Sequence, residues 1–179
     1  GTFRRNAFAW NRRAHMLYVE APVGVGFSYE RKPGAEAAKE RSERRLALDV
    51  YRTLEAFLVA HDEYARAPLY VAGESYAGKV VPYLAHVADA QARNASAPVH
   101  VDLRGVLLVS AWVAPAEQTR ALAPFLFNVG LLNWVEKETA VGMAEVFDTL
   151  LAHGYYGAAD TAGFGLLETV LYEAGGVYA

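Results

Sequence analysis

The sequence contains no cysteine. That excludes disulfides, thiolate nucleophiles and cysteine-ligated metals, and leaves the compartment open. No charge dominates either: 17 Lys and Arg stand against 20 Asp and Glu, for a net charge of −3. A chain so balanced gives no reason to expect a nucleic-acid or other polyanion partner. No apolar run reaches the roughly 18 residues of a membrane span. No charged-then-apolar leader reads as a signal peptide. Internal repeats and low-complexity segments are also missing. What remains is a 179-residue chain, 54% apolar, long enough for a sizeable core and too apolar for disorder.

The rest of the chain is organised around residues 69–82. The run 69–72, Leu-Tyr-Val-Ala, reads as a buried strand. Gly73, Glu74 and Ser75 form a tight corner, and a helical pattern follows with Val80, Leu84 and Val87 on one face. Strand, small residue, Ser, small residue, helix is the layout of a nucleophile elbow. Such a turn tolerates only small neighbours, and Gly73, Ala77 and Gly78 satisfy that. The corner pushes the Ser75 hydroxyl outward. It also places the Tyr76 N–H at a helix N-terminus, where it can donate to an oxyanion. A bare G-x-S-x-A would also arise in an ordinary strand–helix turn, and Ala77 replaces the last Gly of the strict motif. The strand before it and the helix after it favour the elbow.

The longer string Gly73-Glu-Ser-Tyr-Ala-Gly78 resembles the serine carboxypeptidases, α/β-hydrolase exopeptidases active at acid pH. Pro22-Val-Gly-Val-Gly-Phe-Ser-Tyr29, Asn6-Ala-Phe-Ala-Trp-Asn11 and Leu17-Tyr-Val-Glu20 agree in order and approximate spacing. The resemblance implies an α/β-hydrolase fold: a partial central sheet with flanking helices over residues 1–115, then the start of a helical cap over 116–179. It implies a serine-type carboxypeptidase acting on peptide C-termini through an acyl-enzyme on Ser75, with no metal and no organic cofactor. It assigns Glu74 to the substrate's terminal carboxylate, two carboxylates in one site being held together by a shared proton. That grip weakens as pH rises. Trp112, at a strand's C-terminal end, could line the pocket for the penultimate side chain or be a core residue. Gly24 and Gly26 shape a scaffold loop beneath the site. The same fold admits an acyltransferase or a non-catalytic relative. The family usually carries disulfides, which this chain cannot form. Residues 110–115, Ser-Ala-Trp-Val-Ala-Pro, also depart from the family pattern, with Ser110 for Asn and Ala114 for Asp.

In chain order, residues 1–14 are a basic strand-and-turn region with Trp10 as a core or rim aromatic. Residues 15–20 read as a strand buried on both faces, opened by a structural His15. Residues 30–41 read as a surface loop. A helix starts after Ser42 as N-cap, with Leu46, Val50, Leu54, Phe57 and Leu58 as its buried stripe, and ends near His61. His61-Asp62-Glu63-Tyr64 is a polar turn rather than a metal site. Lys79 belongs near the mouth of the site, and Pro82 should kink or break the helix. Asn94-Ala-Ser96 is a glycosylation sequon that supports a secretory route. Residues 101–110 read as a parallel strand covered on both faces. Helices follow, with Leu122, Phe125 and Leu126, then Val135, Val141, Met143, Val146, Phe147 and Leu150 behind an Asn133 cap, then a short segment, 166–172, after Gly163 and Gly165.

A serine attacks a carbonyl only with a base to take its proton. The hydrolase order is Ser, Asp, His. After Ser75 stand Asp89, Asp102, Asp148 and Asp160, with His86, His100 and His153. None follows a strand as a triad member should, and His86 lies roughly 16 Å along the helix. The second oxyanion donor is expected from a Gly-rich loop upstream. On this reading the chain is the middle of a longer enzyme and is inactive alone.

Overall fold

The computed structural model describes residues 2–30 and 42–173. The loop expected over 30–41 and the final residues 174–179 fall almost wholly outside them. The chain divides into two compact units between Ala111 and Trp112.

The first unit is a βαβ unit with a preceding helix. Helix α1 (Glu43–Ala60) begins where the Ser42 hydroxyl accepts from the Arg45 N–H at 3.2 Å. Its buried face is Ala47, Tyr51, Leu54 and Leu58, while Val50 and Phe57 pack at the margin. Leu54 and Leu58 are buried as expected, while Ala47 and Tyr51 take the buried places expected of Leu46 and Val50. The Tyr51 hydroxyl is buried without a hydrogen-bond partner, and burial, reinforced by Glu55, raises its pKa. His61 ends the helix, and residues 61–64 form the expected polar turn.

Strand β1 (Pro68–Glu74) pairs in parallel with β2 (Asp102–Val109) in a two-stranded sheet. Helix α2 (Val81–Ala92) connects them. The register runs from Pro68 opposite Asp102 to Glu74 opposite Val109. Arg104 is skipped, so that Tyr70 faces Gly105, whose missing Cβ would stand 3.0 Å from the Tyr70 ring. Pro82 sits in the first turn of α2, where its missing N–H costs nothing. The break expected at Pro82 therefore precedes it. Val71, Val81, Leu84, Ala88, Val99 and Val101 join the α1 residues in one core.

Three expectations in this unit are corrected. β1 is buried at Val71 alone, with alternate residues exposed. β2 leaves Val106, Leu107, Leu108 and Val109 each more than 40% exposed. The packed core covers one side of the sheet, and among the described residues no second layer within the unit covers the other. Residues 15–20 form no strand: they lack a ladder partner and are largely exposed, Tyr18 at 80%. A strand is defined by its neighbours' hydrogen bonds, and here none is paired. His15 stacks edge-on against Tyr64 at 4.9 Å, and Trp10 is exposed.

The second unit is three helices: α3 (Pro115–Asn128), α4 (Trp134–Ala152) and α5 (Tyr156–Glu173). Asn133 and Glu136 form a full capping box at the start of α4. Gly130 (φ 79°) and Gly154 (φ 75°) end α3 and α4 in the left-handed conformation. The following N–H groups return to Leu126 O and Leu150 O, both at 2.9 Å. Ala123, Leu126, Leu132, Ala140, Ala144, Leu166 and Val170 form one buried cluster, and Phe147 and Ala159 are buried as well. Of the apolar residues read at helical spacing, Phe125, Val135 and Val146 are exposed. On α4 the buried residues are Ala140, Ala144 and Phe147. α5 runs through Gly163 and Gly165 instead of starting after them. Gly163 lies under the Phe147 ring, where a Cβ would stand 3.0 Å from it. That close packing offsets the poor helix propensity of glycine.

Candidate active site

The corner after β1 is a strained serine. Ser75 has φ 55°, a left-handed conformation that costs a non-glycine residue on the order of 1–3 kcal/mol. The chain then turns through a five-residue 3-10 segment, Ser75–Lys79, before α2 begins. Tyr76 therefore stands in a short 3-10 turn, not at the N-terminus of the long helix as expected. Gly73 is required by space. A Cβ there would lie 2.6 Å from Val81 Cγ2 and 2.8 Å from Ala77 Cβ. Gly78 is buried in the turn. Glu74, the last residue of β1, is exposed beside Ser75.

Tyr76 is about half exposed, and its hydroxyl donates to Glu43 Oε1 at 2.9 Å. The Lys79 ammonium lies 5.3 Å from the centre of the Tyr76 ring. The Glu43 carboxyl is held below its ordinary range, chiefly by its own backbone N–H, then by the Tyr76 hydroxyl, with Lys79 adding a smaller pull against desolvation. Glu43 escapes motif reading because it is 33 residues from Tyr76 and looks like an ordinary first-turn acid.

A second left-handed serine stands beside the first. Ser110 (φ 43°) follows Val109, the register partner of Glu74. Both strand tips thus end on a strained serine. Ser110→Gly should relieve the strain and raise stability by about 0.5–1 kcal/mol, read by urea unfolding. A loss of stability would mean that the Ser110 side chain makes a compensating contact.

The remaining expected residues are more scattered. In the loop 20–28, Gly24 (φ 97°) and Gly26 (φ 55°) both need a left-handed backbone. The Glu20 carboxylate accepts from the Phe27 N–H at 2.5 Å and occupies the space a Gly26 Cβ would fill. Trp112 is half-buried and opens the second unit. Asn94 is exposed on the turn after α2, where its side chain accepts from the Ser96 N–H at 3.0 Å.

No side chain among the described residues hydrogen-bonds the Ser75 hydroxyl. Within its unit, Asp89 is paired with Arg93 on α2, and Asp102 with Arg104 at the far end of the sheet. Seven strand positions separate Asp102 from the Ser75 end, about 20 Å. His86 and His100 are exposed. In the second unit Asp148 pairs with Arg120, and the ring of His153 bonds the Thr149 carbonyl. Among the described residues no group of three or more His, Asp or Glu side chains could hold a metal ion. None of the described helices is long and apolar enough to cross a membrane.

Residues 1–150 match the serine carboxypeptidase family. The chain belongs to that family. Among its relatives, the pheromone-processing carboxypeptidase KEX1 of Puccinia graminis f. sp. tritici is 36% identical over 133 residues, covering 74% of this chain and 19% of that protein. The probable serine carboxypeptidase CPVL of Homo sapiens is 34% identical over 137 residues, covering 76% and 28%. Serine carboxypeptidase-like 28 of Arabidopsis thaliana is 33% identical over 132 residues, covering 74% and 28%. The chain thus spans well under half the length of the curated relatives it matches. The crystal structure of the prohormone-processing carboxypeptidase Kex1 from Saccharomyces cerevisiae superposes with a TM-score of 0.67 at 19% identity, over 87% of this chain and 34% of that one. The fold is accordingly a partial α/β-hydrolase domain, with the β1–α2–β2 unit as part of its central sheet.

Proposed function

We propose that the chain carries the nucleophile of a serine-type carboxypeptidase, which releases C-terminal amino acids from peptides through an acyl-enzyme on Ser75. The observation that carries this reading is the left-handed Ser75 at the tip of a parallel strand, inside Gly73-Glu-Ser-Tyr-Ala-Gly78, in a member of this family. The Ser75 oxygen attacks the scissile carbonyl while a base takes its proton. The Tyr76 N–H donates to the oxyanion that forms. The C-terminal amino acid leaves as the amine, and water then cleaves the ester. Glu74 shares a proton with the substrate's terminal carboxylate, and Trp112 borders the penultimate side chain. Gly24 and Gly26 support the site from their loop. None of the available Asp and His side chains is assigned as the base or its orienting carboxylate, since each is exposed or paired elsewhere. No metal or cofactor takes part. The test is incubation of the full-length protein with N-blocked dipeptides at acid pH, following the free amino acid by chromatography. Release of the C-terminal residue alone supports the reading, and internal cleavage or no release defeats it.

The reading also places the protein in the secretory route, through which Asn94 would acquire an N-linked glycan. Its exposure and its place on a turn remote from Ser75 leave the site open to both transferase and substrate. Protein from its native cells, treated with peptide-N-glycosidase in heavy-oxygen water, should yield an Asn94 peptide converted to labelled aspartate. Recovery of unmodified Asn94 would count against both the glycan and the route.

A further inference from the structure

We infer that Glu43 is a positioning residue for the nucleophile turn: from the first turn of α1 its carboxylate pins the Tyr76 hydroxyl, and through it the peptide that follows Ser75. The inference rests on the carboxypeptidase reading above and adds a residue to it.

The argument begins with strain. A serine at φ 55° persists only when its surroundings over-determine it. Beneath the turn, the contacts of Gly73 with Val81 and Ala77 do this sterically. Above it, Tyr76 is about half exposed, so packing alone does not fix its ring. Its bond to Glu43 spans 33 residues of sequence and ties the turn to a different element. That element is a firm post. α1 is capped by Ser42 and buries Ala47, Tyr51, Leu54 and Leu58 in the core. The pKa of the carboxyl is lowered by its own N–H, then by the Tyr76 hydroxyl and less by Lys79, whose ammonium also stands over the ring the bond orients. A charged acceptor makes the stronger kind of hydrogen bond. The donor being aimed is the Tyr76 N–H. An oxyanion donor acts on charge that exists only in the transition state, so misaiming it lowers kcat and leaves KM nearly unchanged.

The experiment compares full-length wild type with Ser75→Ala, Glu43→Ala, Glu43→Gln, Tyr76→Phe and the Glu43→Ala/Tyr76→Phe pair. Each is assayed for kcat and KM on an N-blocked dipeptide and for active-site count with a fluorophosphonate probe. The expected result is a kcat lower by about tenfold in Glu43→Ala and in Tyr76→Phe, the weight of one hydrogen bond to a charged group. The double variant should be no worse than either single one. Glu43→Gln, which keeps an acceptor oxygen, should recover part of the loss. Ser75→Ala should not label, and active-site counts equal to wild type in the Glu43 and Tyr76 variants exclude simple misfolding. Singles within twofold of wild type, additive losses, or a raised KM at unchanged kcat would overturn the inference while leaving the carboxypeptidase reading intact. A wild type that neither hydrolyses nor reacts with the probe would overturn that reading, and the role of Glu43 with it.

Discussion

Ser75→Ala in the full-length protein is expected to lower kcat for C-terminal amino-acid release by about 10⁴-fold or more, with KM within a few-fold of wild type. The reason lies in what the residue supplies. Its oxygen is the only atom that would form the acyl bond, so no neighbour can take over. Substrate contacts, by contrast, are assigned to Glu74 and Trp112, which the substitution leaves in place. Alanine at φ 55° also keeps the strain of the turn while removing the hydroxyl that justifies it. The folded state should therefore change little, and the loss should fall on the chemical step. The measurement is amino-acid release under saturating dipeptide, beside loss of fluorophosphonate labelling. A variant that retains more than about a hundredth of wild-type kcat would show that the nucleophile lies elsewhere.

Gly73→Ala should have the second largest effect, and for a steric reason. One methyl group at this position meets Val81 Cγ2 at 2.6 Å and Ala77 Cβ at 2.8 Å. Neither can retreat. Val81 is buried at the start of α2, and a β-branched side chain in a helix has one strongly preferred rotamer. The Ala77 Cβ has no torsion of its own to turn. The 3-10 segment must open instead, and Ser75 moves with it. Overpacking of this kind costs about 1–3 kcal/mol, and a shift of an ångström at a nucleophile costs about a hundredfold in rate. Urea unfolding and dipeptide hydrolysis should both register the change. Adding Val81→Ala removes one of the two clashes and should restore part of the stability. Unchanged stability and rate in Gly73→Ala would mean that the turn is softer than its contacts indicate.

The strand–turn–helix corner at Ser75 was legible because its requirements are local. Small residues at 73, 77 and 78 between an apolar run and a helical pattern leave few other conformations, and the family match covers the same residues. Caps were equally plain, since Ser42 and Asn133 act on N–H groups three residues away. Burial was not. The apolar run 106–109 forms a strand, but whether it is covered depends on layers that its own composition does not encode. Residues 15–20 have strand composition without a ladder partner. Gly163 looks like a helix breaker until Phe147 is seen to rest on it. The link from Glu43 to Tyr76 is a tertiary fact, visible only once α1 and the turn at Ser75 are folded together.

The two cores have a thermodynamic consequence. Leu54 and Leu84 belong to one cluster of buried side chains, and Leu126 and Leu166 to another. Each cluster can in principle lose its order while the other keeps it, so cooperativity belongs to the unit before it belongs to the chain. A truncation at Leu54 and one at Leu166 then weaken different equilibria, and their free energies should sum only when both units melt together.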